Sequence, residues 1–311
     1  MKILVYGFHN HNNVGDDLFT DVFHKLFPQH TFVFTDHITD DMLNDISAVF
    51  IGGGSLLSDK PSIENIKKLK TLPIYYIGVG SETRINPIHL SLMKRAKLIA
   101  LRSNDKLSAI LAINPNTIVI PDLVYALASN ITSNPIPKTV LILPNIAVVP
   151  QNNEPHWKHT AWELFKNEFS QFLDDLIDEE YKISFLSMCK DHKLHDDFAS
   201  LGIIGSMKNK DMDYIIQSDD VSDTISQHNI VITQRYHGII LSEITKTRYV
   251  AIHHHDKLKK SYFNVGSFIP YYGFSKQGMI DAFDIAIKKD YRYDISIFED
   301  MFRALVIRVG I

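Results

Sequence analysis

Short apolar runs that stop at glycine, each followed by helix-spaced residues, constrain this chain more than any other feature. Residues 3–6 stop at Gly7, residues 48–51 at Gly52-Gly53-Gly54, and residues 74–77 before Gly78 and Gly80. Runs 31–34, 98–101 and 117–120 are further strand candidates. Between them, Leu18, Val22, Phe23 and Leu26 recur at helical spacing before Pro28. Asp59 and Pro61 mark the start of a helix carrying Ile63, Ile66 and Leu69, Asn86-Pro87 opens another, and a third is expected over 104–113. Strands alternating with helices imply a parallel sheet covered on both faces. In such sheets ligands sit outside the carboxyl ends of the strands, where these glycines fall.

The pattern breaks at 130–138, NITSNPIPK, which has two prolines and no periodicity. A second alternating series follows, with strands at 140–143, 183–188, 230–233 and 249–252. A long helix within 157–180 carries Trp162, Phe165, Phe169, Phe172, Leu173 and Leu176 on one face, and a shorter one spans 238–245. At 311 residues the chain is long enough for about two domains. The expectation is an α/β protein of two consecutive parallel-sheet domains with a cleft between them: 1–130, 138–290, and a C-terminal helix within 291–311.

Composition excludes several classes. Lys plus Arg is 32 against 36 Asp plus Glu, a net charge of −4, which argues against a general nucleic-acid binder. The single cysteine, Cys189, forbids an intrachain disulfide and fits a reducing compartment, so a cytoplasmic location is expected. No run approaches the ~18 apolar residues of a membrane span, and the opening MKILVYG is too short an apolar stretch for a signal peptide. Although there are 15 His, the adjacent His253-His254-His255 alternate sides in an extended segment, so no metal site is expected.

Five segments carry candidate chemistry. The loop Asn13-Val14-Gly15-Asp16-Asp17 runs straight into a helix; Gly15 lets backbone N–H groups approach a ligand, and the two aspartates can equally cap the helix. It is neither a dinucleotide fingerprint nor a P-loop. Gly52-Gly53-Gly54-Ser55 is more glycine than a tight turn needs. Arg102 follows a strand and precedes Ser103, a candidate cap; a surface ion pair is the plain alternative. In Arg235-Tyr236-His237-Gly238 a buried strand delivers a bidentate anion fork and an acid–base group. If the segment is extended, residues 235 and 237 share a face. Lys257 follows the last strand of the series and offers an anion contact.

The order of these pieces resembles the polysaccharide pyruvyl transferase family. The matching segments are Asn13-Val14-Gly15-Asp16-Asp17, Gly52-Gly53-Gly54-Ser55-Leu56-Leu57, Ile77-Gly78-Val79-Gly80, Leu101-Arg102, Arg235-Tyr236-His237-Gly238 and Asp256-Lys257. Each is weak alone; their joint order over nearly the whole chain is specific. Three positions depart from the usual pattern: Tyr236 replaces Leu, Ser103 an acidic residue, and Ser55 a fourth glycine. The resemblance implies a GT-B-like fold of two Rossmann-like domains. It implies transfer of the enolpyruvyl unit of phosphoenolpyruvate to two hydroxyls of a free, lipid-linked or protein-linked saccharide, with no further cofactor. In that reading Arg102, Arg235 and Lys257 hold the donor, His237 is the general acid, and Asp16, or else Asp17, is the base. Asn13, Gly15, Gly53, Gly54, Ser55 and Gly80 then line the substrate. A GT-B glycosyltransferase using a nucleotide sugar is the alternative, and a catalytically silent binding protein a third possibility.

Overall fold

The computed structural model describes residues 1–9, 11–58, 69, 71–81, 84–128, 134–191, 194–215, 220–259, 261–289 and 294–311. The chain divides into two compact units. Met1–His11, Gly15–Ser129 and Asp294–Ile311 form the first; Asn12–Val14 and Asn130–Tyr293 form the second.

The first unit is built on six parallel strands: β1 (Lys2–Tyr6), β2 (Thr31–Thr35), β3 (Ala48–Gly54), β4 (Ile74–Val79), β5 (Leu98–Leu101) and β6 (Thr117–Val119), in the order β2-β1-β3-β4-β5-β6. The strands are near-continuous apolar runs because both faces are covered. Alternate residues of β3 part to opposite sides. Val49 and Ile51 join a core with Leu92 and Met93, while Phe50 meets Phe23, Phe27 and Tyr75. Strand order reverses at β1, so the crevice of this sheet opens outside the ends of β1 and β3.

Helix α1 (Val14–Leu26) buries Phe19, Val22 and Phe23; Leu18 and Leu26, expected on the inner stripe, are only half-buried, and Phe19 takes the core position. Asn86 caps α2 (Pro87–Met93), its Oδ1 accepting from the Ile88 N–H at 3.0 Å. Helix α3 is confined to Leu107–Leu111, and Ser103 does not cap it; the Ser103 Oγ lies 3.0 Å from Ser81 Oγ instead. Asp59, Pro61, Ile63 and Ile66 lie outside the described residues, and Leu69 is fully buried. The C-terminal helix Ile297–Val309 belongs to the first unit, where Phe298 stacks on Tyr125 at 4.4 Å.

The second unit repeats the scheme with β7 (Ile136–Leu143), β8 (Lys182–Leu186), a small antiparallel ladder of β9 (Lys190–Asp191) and β10 (Leu194–His195), then β11 (Met212–Ile215), β12 (His228–Thr233), β13 (Arg248–His253) and β14 (Ser267–Pro270). Its main sheet is parallel in the order β11-β8-β7-β12-β13-β14, reversing between β7 and β12. Residues 136–138, read from sequence as linker, open β7; Pro137 is tolerated there because the strand start is exposed. The edge strands β11 and β14 are not continuous apolar runs and do not stand out in the sequence.

Helix α4 (His156–Asp178) buries the whole aromatic face anticipated for it. Helices α5 (Asp197–Ser206), α6 (Val221–Ser226), α7 (Tyr236–Ile244) and α8 (Lys276–Lys288) complete the layers. Phe165 sits at the centre, with Trp162, Phe169, Tyr271 and Phe274 rings at 5.9, 5.3, 5.0 and 4.9 Å. Phe165→Ala is expected to cost about 3–5 kcal/mol, read as a lowered denaturation midpoint; a change under about 1 kcal/mol would contradict this packing.

Candidate active site

In the first unit the glycine run is explained largely by packing. A Cβ on Gly52 would stand 2.2 Å from the Ile77 carbonyl oxygen of the neighbouring strand, and one on Gly53, at φ +78°, would strike the Phe19 ring at 2.5 Å. Gly54, at φ +104°, borders the active candidates: its missing Cβ would lie 3.1 Å from Asp16 Oδ1. Gly80 donates its backbone N–H to the Gly54 carbonyl at 3.0 Å, so this amide is already used within the sheet edge. Gly15 is buried in the first turn of α1, where Asp16 and Asp17 complement the helix dipole.

Arg102 is neither an open cation nor half of a surface ion pair. Its Nη1 donates to Asp122 Oδ2 at 2.9 Å, with the two side chains 1% and 0% exposed, and its Nη2 donates to Ser55 Oγ at 2.7 Å. Asp122 Oδ1 accepts from the Val124 N–H at 3.1 Å. The end of β5, the glycine loop after β3 and the turn after β6 are thereby locked together.

His9, which the sequence reading did not single out, follows β1 and is 3% exposed. Its ring meets Phe34 edge-on at 5.1 Å, and among the described residues neither ring nitrogen makes a hydrogen bond of good geometry. Burial pushes its pKa down to about 4, although the Asp16 backbone and Asp36 pull the other way.

In the second unit β12 ends at Thr233, whose Oγ1 accepts from the Arg235 N–H at 3.0 Å and turns the chain into α7. Arg235 is the N-cap residue, and Tyr236 and His237 are already helical. Residues 235 and 237 therefore do not share the face of an extended segment. The Arg235 fork is also engaged. Its Nε donates to Asp196 Oδ2 at 2.9 Å and its Nη2 donates to Asp196 Oδ1.

Asp196 is fully buried and also accepts from the Ile146 N–H at 2.9 Å and the Cys189 N–H at 3.0 Å. Burial pushes its carboxyl up, and Arg235 and the two amides oppose that. Lys257, in the turn Asp256–Lys259, places its Nζ 4.9 Å from the Tyr236 ring centroid. Lys257 is thus brought to the Arg235-Tyr236-His237 turn by the residue that departs from the family pattern. The Tyr236 and His237 rings stand 5.5 Å apart. Asn13, counted in this unit, forms a bridge with Cys189.

The partners Asp122 and Asp196 were not found from sequence. They lie 20 and 39 residues from their arginines, and an isolated aspartate at a helix start reads as a cap. Among the described residues no group of three or more His, Cys, Asp or Glu is placed to hold a metal, and no helix is long and apolar enough to cross a membrane.

Two parallel-sheet α/β units of this topology define a GT-B fold protein. UDP-GlcNAc 2-epimerase from Methanocaldococcus jannaschii is similar at 10% identity, over 99% of each chain, with a TM-score of 0.62. The S. aureus MnaA–UDP co-structure is similar at 11% identity, over 99% of this chain and 97% of that one, with a TM-score of 0.61. Acinetobacter baumannii MurG is similar at 9% identity, over 98% of each chain, with a TM-score of 0.51. At such identities the likeness shows the fold alone. No curated protein sequence matches the chain. The sequence profile of polysaccharide pyruvyl transferase matches residues 13–256, and the chain belongs to that family.

The His9 environment makes stability pH-dependent with a definite sign. Its folded pKa of about 4 lies below the ordinary histidine value of 6.5, so the unfolded chain binds more protons between those values. Its contribution is present above pH 6.5 and is lost as pH falls towards 4, on the order of 3 kcal/mol in all. His9→Leu is expected to flatten the stability–pH slope in that window; an unchanged slope would refute the assignment.

Proposed function

We propose that the protein transfers the enolpyruvyl unit of phosphoenolpyruvate to two hydroxyls of a saccharide, forming a pyruvate ketal and releasing phosphate. Membership of the family, with the Arg235-Tyr236-His237 turn and Lys257 held together in the second unit, carries this reading. The donor's carboxylate and phosphate need cations. Lys257 is the principal one, and Arg235, anchored through Asp196, sets the shape of the turn and adds its charge. His237 delivers a proton to the methylene carbon, leaving the adjacent carbon oxocarbenium-like. One hydroxyl adds there and gives up its proton. The carbon–oxygen bond to phosphate then breaks, and the second hydroxyl adds and gives up its own. Asp16, with Asp17 as the alternative, takes a hydroxyl proton. Of the two hydroxyl protons, one restores the proton that His237 gave to carbon and the other leaves on phosphate. The acceptor is a free or lipid-linked glycan, the reaction calls for no resident cofactor, and a cytoplasmic location matches the supply of this donor.

The proposal is tested by incubating the protein with phosphoenolpyruvate and a panel of galactosides, mannosides and glucosides. Phosphate release together with the mass gain of a ketal is the expected result. His237→Ala is expected to lower release at least about 100-fold with the melting temperature held, and full activity in that variant would sink the mechanism. Arg235→Lys is expected to weaken donor binding about tenfold or more by calorimetry, because lysine cannot reproduce the two-point pair with Asp196. Stabilisation by a nucleotide sugar and not by phosphoenolpyruvate would favour a glycosyltransferase instead.

A further inference from the structure

The second unit holds a pocket that the proposed chemistry does not use. It is an open depression of about 320 Å³ lined by His253, His254, His255, Asp256, Pro270 and Tyr272, at the carboxyl ends of β13 and β14. That volume is at the small end of the range of about 300–1,000 Å³ for ligand pockets. Tyr272 is 48% exposed, and its ring lies 5.5 Å from that of Trp157, which is 55% exposed at the start of α4. Two large aromatics so exposed and so close, beside a polar pocket, need a reason, since each leaves apolar area in water.

The polar lining has a definite character. Burial pushes His254 down to about 4, with His255 and Arg235 acting the same way, and burial also lowers His253. The His254 ring is neutral near pH 7, and a neutral imidazole offers one donor and one acceptor. Among the described residues the buried His254 Nδ1 has no hydrogen-bond partner. Asp256 adds a carboxylate acceptor, which disfavours an anion. The lining therefore matches a neutral, hydroxyl-rich ligand. A pyranose ring has that chemistry: its axial C–H face packs on an aromatic ring while its hydroxyls pair with imidazole and carboxylate.

We propose that the Tyr272–Trp157 pair and the pocket of His253, His254, His255 and Asp256 form a saccharide subsite that holds a sugar ring of the glycan. This rests on the reading that the protein acts on a glycan, but it concerns binding alone, and the site lies wholly in the second unit. Asp256 directly precedes Lys257, so the subsite adjoins the proposed donor cations.

The test follows tryptophan emission and saturation-transfer NMR with methyl galactoside, glucoside and mannoside and the matching disaccharides, without phosphoenolpyruvate. The chain has two tryptophans, and Trp162 is buried, so a saturable change reports Trp157. At least one pyranoside is expected to give a saturable change. Tyr272→Ala is expected to weaken that binding about tenfold or more at unchanged melting temperature, and Asp256→Asn to weaken it less. Absence of saturable binding by every sugar, equal affinity in Tyr272→Ala, or displacement of the sugar by uridine would overturn the proposal. Failure of phosphate release with sugar binding intact would overturn the transfer reaction and leave the subsite standing.

Discussion

The buried Asp196 carboxylate is the constraint on which the second unit's functional edge depends. It accepts from Arg235 after β12, from Ile146 after β7 and from Cys189 after β8. Those three strands are neighbours in the sheet, in the order β8-β7-β12. One side chain thus gathers the loops on both sides of the point where strand order reverses, which is where parallel sheets bind ligands. A buried pair of this kind adds little stability over a well-packed apolar alternative, yet removing one partner strands the other at about 3–5 kcal/mol. Its value here is orientation: it fixes the start of α7, and with it Tyr236 and His237.

The first unit solves the same problem with the same chemistry. Arg102 at the end of β5 is clamped by Asp122, and its remaining reach goes to Ser55 beyond the glycine run. Ser55, standing where the family often has a fourth glycine, is therefore a hydrogen-bond acceptor for a buried arginine. In each unit an arginine at a strand end is spent on a buried aspartate, which rigidifies the loops where ligand chemistry is proposed. Lys257 is held differently, over the Tyr236 ring. The tyrosine that departs from the family pattern thus has a role of its own.

Much of the fold was legible because apolar runs and turn residues are local. The six central strands from β3 to β5, β7, β12 and β13 all coincide with apolar runs, and the aromatic face of α4 follows from its spacing alone. Edge strands β11 and β14 escaped because neither is a continuous apolar run: Asp213 interrupts the first, and Ser267 and Pro270 bound the second. Helix α8 shows Met279, Ala282, Phe283 and Ala286 at helical spacing and was open to the same reasoning.

By itself the sequence determined two alternating α/β series, the loops that would carry chemistry, and a family pattern in order along the chain. These depend on residue type and short spacing. Tertiary structure alone decided which charges stay available. It anchored the forks of Arg102 and Arg235 on partners 20 and 39 residues away, made Gly52 and Gly53 a packing necessity, and buried His9. The physical reason is that desolvation and ion pairing are set by what surrounds a group in space, and a parallel sheet brings together residues that the chain holds far apart.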